Sequence, residues 1–521
     1  MIRPCFCASV LTAALVAQTP AIQEGTLRGH MAFLADDLLE GRGPGTRGGY
    51  LAAKYLETQL QILGMKPANG TSYLQAVPLV GLRTVPERTK LVFRGLKGPM
   101  DFSLGEGYLV GAGEAAEEVK IAAPLVFVGH GVTLEGRDDF KGVDVRGKIV
   151  LAVVGPRPDQ EPGCCTPSHY SARWAFKIAQ ARKRGAAGVL LIHESAQAGY
   201  DWRVVKAGWT IERVHRDPLA SGAALQGWLS NASARALFAA AGLDFDALRK
   251  EADTRDFHPR TLEGVSLSGV LASEVRRFQD WNVAGVLPGT DPELAKEAVI
   301  YSAHWDHLGV DRRTGRTLNG AVDNASGCGG VLAIAQAMVG KPTRRSQMFF
   351  FPAVEEPGLL GAEAFVAHPL WPLDKIVAVL NLESLNFAGP TRDIGLAGSE
   401  GNTLRDIGGE VAQRMGLKVT PSKPDPAGLF FRSDHFPFVK AGVPAFSPGF
   451  SLDGGWDYIH EQDGLKAKDY VAKHYHQSSD RYDPQWDLRG MMQQIQFIHA
   501  LGVELGNRAD RPVWKGPARH W

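Results

Sequence analysis

Three apolar runs in the second half of the chain each end in residues that ligate metals or move protons. Residues 298–303 (AVIYSA) lead into His304-Trp-Asp-His307, 347–353 (QMFFFPA) into Glu355-Glu356, and 376–382 (IVAVLNL) into Glu383. Asp323 sits in Gly320-Ala-Val-Asp-Asn-Ala-Ser-Gly327, just ahead of a helical pattern, and His474 and His476 close the set near the C-terminus. Carboxylates crowded together repel, and burying them unpaired costs several kcal/mol each. Divalent cations remove that penalty. Imidazole with carboxylate suits Zn²⁺ at ~2.0–2.2 Å. Two such ions ~3.5–4 Å apart can share one carboxylate and polarise a hydrolytic water. One acid must then stay off the metal to accept the water's proton, and the Glu355-Glu356 pair offers a base and a ligand from adjacent positions.

The elements that position these groups follow from the periodicity. From about residue 280 short apolar strands alternate with amphipathic helices, 330–338 and 486–505 among them. This is the pattern of an α/β fold: three layers, with a mostly parallel central sheet flanked by helices. Ligands in such sheets lie beyond the carboxyl ends of the strands, where these acids and histidines fall. Upstream, residues 24–66 read as helical, interrupted by Gly41-Arg-Gly-Pro-Gly-Thr-Arg-Gly-Gly49. That loop lacks the Gly-Lys-Ser/Thr ending of a phosphate loop and reads as a structural turn. Residues 111–275 change texture. Strands at 124–131, 147–155 and 188–193 and a helix at 175–184 predict an inserted β-rich α/β domain with its own core. The expected organisation is a leader over 1–20, segments of the main α/β domain over 21–110 and 276–510 around the insert, and a tail over 511–521.

Composition excludes several functions. The 57 Lys and Arg balance 56 Asp and Glu, which leaves no basic footprint for nucleic acid or an anionic membrane. Arg3 precedes an apolar stretch from Cys5 to Ala17, too short to span a membrane and shaped like a secretory leader. Secreted or periplasmic export is therefore expected, with no integral membrane span after leader removal. Without Cys5 and Cys7, the chain keeps Cys164, Cys165 and Cys328, which is not a disulfide framework.

Taken together, His304-Trp-Asp306-His, Val322-Asp-Asn-Ala-Ser-Gly327, Glu355-Glu356, Asn381-Leu-Glu383 and Tyr475-His-Gln-Ser-Ser-Asp480 resemble, in order, the motifs of the two-zinc aminopeptidase family, metallopeptidase family twenty-eight. The resemblance covers about 24–110 and 276–510. It implies two Zn²⁺ per chain: Asp323 bridges them, His304 and Glu383 complete one site, and Glu356 and His476 the other. It implies that Asp306 orients His304, and that Glu355 is the general base that later protonates the leaving amine. A cis Asp323-Asn324 peptide bond also belongs to the resemblance. Many members carry Asp where this chain has Glu383, whose longer arm changes the reach of that ligand. His476 is chosen over His474 for its Tyr-His-Gln context. Arg432, Ser433, Asp434 and His435, in a Phe-rich stretch, resemble the family's substrate-pocket loop, while His307, His435 and His460 are read as pocket or structural residues. Residues 139–148 and 181–188 resemble a protease-associated domain, a lid, a wall or a passive module. The implied activity is hydrolysis of a peptide substrate at its free N-terminus, with carboxypeptidase action the less favoured alternative. Two competitors use the same fold: a one-zinc glutaminyl-cyclase-like transferase, and a non-catalytic receptor-like binding protein.

Overall fold

The computed structural model describes residues 22–134, 136–158, 165–198, 200–219, 222–311, 314–396, 398–399, 401–420, 428–448 and 456–515. The leader-like start lies outside them. In the second half, the strand Ser346–Phe351 pairs in parallel with Ala298–Ser302, that strand with Ile376–Asn381, and the last with Ala445–Phe446. These strands are buried at every position because both faces are covered. Tyr301, Phe349 and Phe351 point into one core, with the helices Glu24–Leu34, Gly327–Met338 and Arg489–Asn507. Ile300, Met348 and Phe350 point into the other, against Leu360–Ala367 and His435–Lys440. The three-layer α/β arrangement is present as expected.

A second pair of cores lies between residues 80 and 271. It is built on the strands Glu118–Phe127, Ile149–Val153, Gly188–Ile192 and Leu225–Leu229, parallel to one another, with Tyr108–Ala112 antiparallel at the edge. The expected boundaries need correction. The break at 110/111 falls inside Tyr108–Ala112, and the break at 275/276 inside one 28-residue strand, Arg260–Leu287. That strand pairs with Glu118–Phe127 at its start, with Leu74–Thr84 along its middle and with Ser346–Phe351 at its end. Both halves of the molecule thus share one 15-stranded sheet. The strand absorbs a register shift between Thr261 and Ser266, at Gly264 with φ 72°, and runs on through the expected boundary.

The N-terminal segment forms two helices, Glu24–Leu34 and Arg47–Ile62, joined through a 3₁₀ turn at Asp37–Arg42 and the glycine-rich loop. The loop is a close-packing device. A Cβ on Gly41 would lie 2.4 Å from the carbonyl oxygens of Gly309 and Leu318. One cysteine expectation also changes: Cys165 is disulfide-bonded, with its partner outside the described residues, whereas Cys328 is free and buried.

Candidate active site

The ends of the parallel strands deliver the expected residues to one place. His304 Nε2 lies 3.1 Å from Glu383 Oε1 and 3.3 Å from Asp323 Oδ1. His476 Nε2 lies 3.1 Å from Asp323 Oδ2 and 3.3 Å from Glu356 Oε2. Asp323 therefore turns one oxygen toward each histidine. Ligands ~2.0–2.2 Å from a shared tetrahedral ion lie ~3.3–3.6 Å apart, so each histidine–carboxylate set has room for one cation. The Asp323-Asn324 peptide bond is cis. Glu355 shares the His304–Glu383 neighbourhood, and His307 the Asp323–Glu356 neighbourhood. His474, by contrast, faces Ser479 Oγ at 2.9 Å and takes no part. His460 is an exposed residue at the start of the helix Glu461–Lys473.

Buried polar side chains hold the ligand-bearing loops. Asp306 meets His304 through its backbone and not through its side chain. Its carboxylate stands 3.7 Å from His304 Nδ1, beyond hydrogen-bond range, and that nitrogen faces the Asp306 carbonyl oxygen at 3.2 Å. A carbonyl only accepts, so Nδ1 carries the proton and Nε2 is left to ligate. The Asp306 carboxylate instead accepts from the backbone N–H groups of Glu355 (2.9 Å) and Glu356 (3.3 Å). Asp480 does the same for Val322 and Asp323, at 3.0 and 3.2 Å, and accepts from the Tyr470 hydroxyl. Asn324 donates to the Leu382 carbonyl and accepts from the Ser384 N–H, joining two ligand loops. Arg42, 1% exposed, donates to the carbonyls of Leu34, Trp305, Asn319 and Gly320. Val354, Ser384 and His476 have φ of 57°, 42° and 58°; left-handed backbone at non-glycine residues clusters at functional sites.

Crowding of charge sets the protonation of the metal-free site. Burial alone would lower the His304 imidazole, but Glu383 and Glu355 raise it well above its ordinary value. His476 is opposed by burial yet raised to about 9 by Glu356 and Asp323. Burial, with Glu383 and Glu356 adding, pushes the Glu355 carboxyl well up. Asp323 moves the other way. Burial disfavours its charge, but hydrogen bonds from His304 and His476 hold it well below the carboxylate range. Glu355 held high beside Asp323 held low separates a proton-carrying acid from a carboxylate kept charged.

The Phe-rich loop also departs from expectation. Arg432 is exposed, but Ser433, Asp434 and His435 are sealed, at 5%, 0% and 2% exposure. Ser433 Oγ donates to Glu383 Oε2 at 2.8 Å and accepts from Asn381 Nδ2 at 2.7 Å, so it serves a ligand. The Asp434 oxygens and both His435 nitrogens are buried without hydrogen-bond partners. Packing of Phe430, Phe431, Phe436 and Phe438 closes this segment into a core. The second half-molecule reaches the same loop: Tyr170 packs on Phe431 and Phe436 with ring centroids at 5.4 and 4.8 Å.

A histidine and carboxylate donor set at the carboxyl ends of a parallel sheet, with a buried acid beside it, suits metal-assisted hydrolysis. Residues 282–498 match the model of peptidase family M28. The whole chain has the fold of the aminopeptidase from Aneurinibacillus sp. strain AM-1, with a TM-score of 0.52 and 18% identity over 96% of this chain and 97% of that one. It also aligns with BSAP, a zinc aminopeptidase from Bacillus subtilis, with a TM-score of 0.44 and 17% identity over 95% and 97% of the two chains. A vacuolar membrane protease of Lachancea thermotolerans is 34% identical over 122 residues, 23% of this chain. A second, from Verticillium alfalfae, is 28% identical over 190 residues, 36% of this chain. The matches span 12% and 16% of those relatives' lengths. Among the described residues no helix is long and apolar enough to cross a membrane.

Proposed function

We propose that this chain is a two-zinc aminopeptidase that hydrolyses the N-terminal bond of peptides. The observation that carries this reading is Asp323, whose two oxygens face two histidines, each backed by a further carboxylate. His304, Glu383 and Asp323 would hold one zinc, and His476, Glu356 and Asp323 the other. When bound, zinc supplies Lewis acidity to the scissile carbonyl and the attacking water.

The chain's own residues do the rest. Glu355, 8% exposed at the edge of the cluster, takes the water's proton and passes it to the leaving amine. Asp306 fixes its backbone so that the carboxyl keeps its reach. The preference for a free amino end is supported by the acids on the His304 side. Glu355 and Glu383 lie together there, and their carboxyl oxygens offer acceptors to an ammonium group. Arg432 is the one exposed member of its loop, and we assign it to contact with the peptide beyond the scissile bond. The unit on the second pair of cores is proposed to be a protease-associated-like wall, supported by Tyr170 against the Phe431–Phe436 loop.

Metal analysis with kinetics tests the reading. Two zinc ions per chain are expected, with release of N-terminal residues from aminoacyl reporters. Glu355→Gln should keep both ions and lose activity by ~10²–10⁴-fold. One ion with cyclisation of N-terminal Gln would turn the assignment to a transferase, and no metal to a receptor-like protein.

A further inference from the structure

His307 was read from sequence as a pocket or structural residue, yet it is fully buried and its Nδ1 lies 2.6 Å from Glu356 Oε1. The other oxygen of Glu356 is the one facing His476 Nε2. A carboxylate only accepts, so Nδ1 carries the hydrogen and donates it. The imidazole is itself fixed. Its backbone N–H donates to the Arg42 carbonyl at 3.3 Å, and its ring crosses that of His476 at 76° with centroids 5.6 Å apart. Gly320 makes the seat: a Cβ there would stand 2.6 Å from His307 Cγ.

The opposite half of the site shows the same construction. Glu383 turns Oε1 to His304 and has Oε2 held by the Ser433 hydroxyl. Each carboxylate thus has one oxygen for the cation side and one pinned by a hydrogen-bond donor. The two pins differ in kind: Ser433 is braced by Asn381, whereas His307 sits on the loop that also bears His304. His476 is the more open of the two histidine ligands, 28% exposed at its side chain against 1% for His304. The half-site around it therefore depends more on Glu356 being held.

We propose that His307 is the positioning residue that holds Glu356 on the second metal, and so decides whether this chain binds one ion or two. The proposal rests on the two-zinc reading above. A residue that orients a ligating group is typically worth 10–100-fold in metal affinity. Without His307, Glu356 has an unrestrained oxygen and a rotatable arm. Asn at 307 can place an amide N–H where Nδ1–H stands, whereas Ala cannot.

The test is zinc binding to the full chain at graded free zinc set by a chelator, read by elemental analysis of the washed protein. The wild type should bind two ions. His307→Ala should keep one and bind the other 10–100-fold more weakly, and His307→Asn should restore most of the lost affinity. If the Ala variant does not fold, His307→Gln replaces it. Its donor sits one bond too far out, and it should show the same selective loss. Variants that keep both ions at wild-type affinity, or lose both together, overturn the proposal. A wild type that binds fewer than two ions overturns the two-zinc reading instead.

Discussion

Arg42 offers the most direct test of how the site is framed. Its guanidinium donates to the carbonyls of Leu34, Trp305, Asn319 and Gly320, drawing together the N-terminal helix, the His304 loop and the Asp323 loop. No carboxylate touches it; its charge acts on Asp306, Asp323 and Asp480 from a distance. Arg42→Met leaves the buried carbonyls of Leu34, Trp305 and Asn319 unpaired, while that of Gly320 keeps the Ala325 N–H at 3.2 Å. At ~1–3 kcal/mol each the naive sum is large, but relaxation and water entry limit single-site losses to ~4–5 kcal/mol. We expect a loss of ~4 kcal/mol for Met. Lysine keeps the charge but carries its three donors on one atom, which cannot reach carbonyls spread around a guanidinium fork, and we expect ~2 kcal/mol for Arg42→Lys. Urea unfolding of the chelated protein, followed by tryptophan fluorescence, measures both. Zinc affinity should fall in the same order, because the spacing of His304 and Asp323 is set by the carbonyls that Arg42 gathers. A Met variant within ~1 kcal/mol of wild type, with zinc affinity unchanged, would refute the idea that this guanidinium frames the site.

Two further outcomes follow from the same geometry. In the metal-free protein His476 titrates near 9 against an ordinary 6.5, so the folded chain holds more protons than the unfolded one between these values. Its stabilisation is complete below about pH 6.5 and is lost as pH rises through about 9, by at most ~3 kcal/mol less solvent screening. Glu355 and Asp434, also raised, act in the same direction. Melting of chelated protein at both pH values checks this, and a melting temperature that rises with pH contradicts it; zinc should flatten the slope, since it binds the deprotonated imidazole. His476→Ala should weaken one zinc site, whereas His474→Ala, which loses a bond to Ser479, should leave zinc content unchanged.

Much of the site could be read from the chain because its ligands are tied to local pattern. A buried strand of a parallel sheet is apolar throughout, so the first acid or histidine after it marks the rim, and His304, Glu355, Glu356 and Glu383 stand out for that reason. His307 shows the same signal, five residues past the serine that ends its strand, but strand-end position alone does not say which acid it meets. Asp480 lay within a recognised motif without a role, and Arg42 lay in a loop read as a turn. Their partners are backbone N–H and carbonyl groups, and these are identical at every residue.

What the sequence by itself determined is therefore the inventory: the apolar strands, the α/β class, and the acids and histidines that gather at the strand ends. Tertiary structure alone decided the assignments within it. Folding carried 260–287 across both halves as one strand, moved the Asp306 carboxylate from His304 to the Glu355-Glu356 backbone, and sealed Asp434 and His435 behind phenylalanines. The physical reason is that hydrophobic period reports which face of an element is buried, while hydrogen-bond partners and strand neighbours depend on distances between segments far apart in the chain.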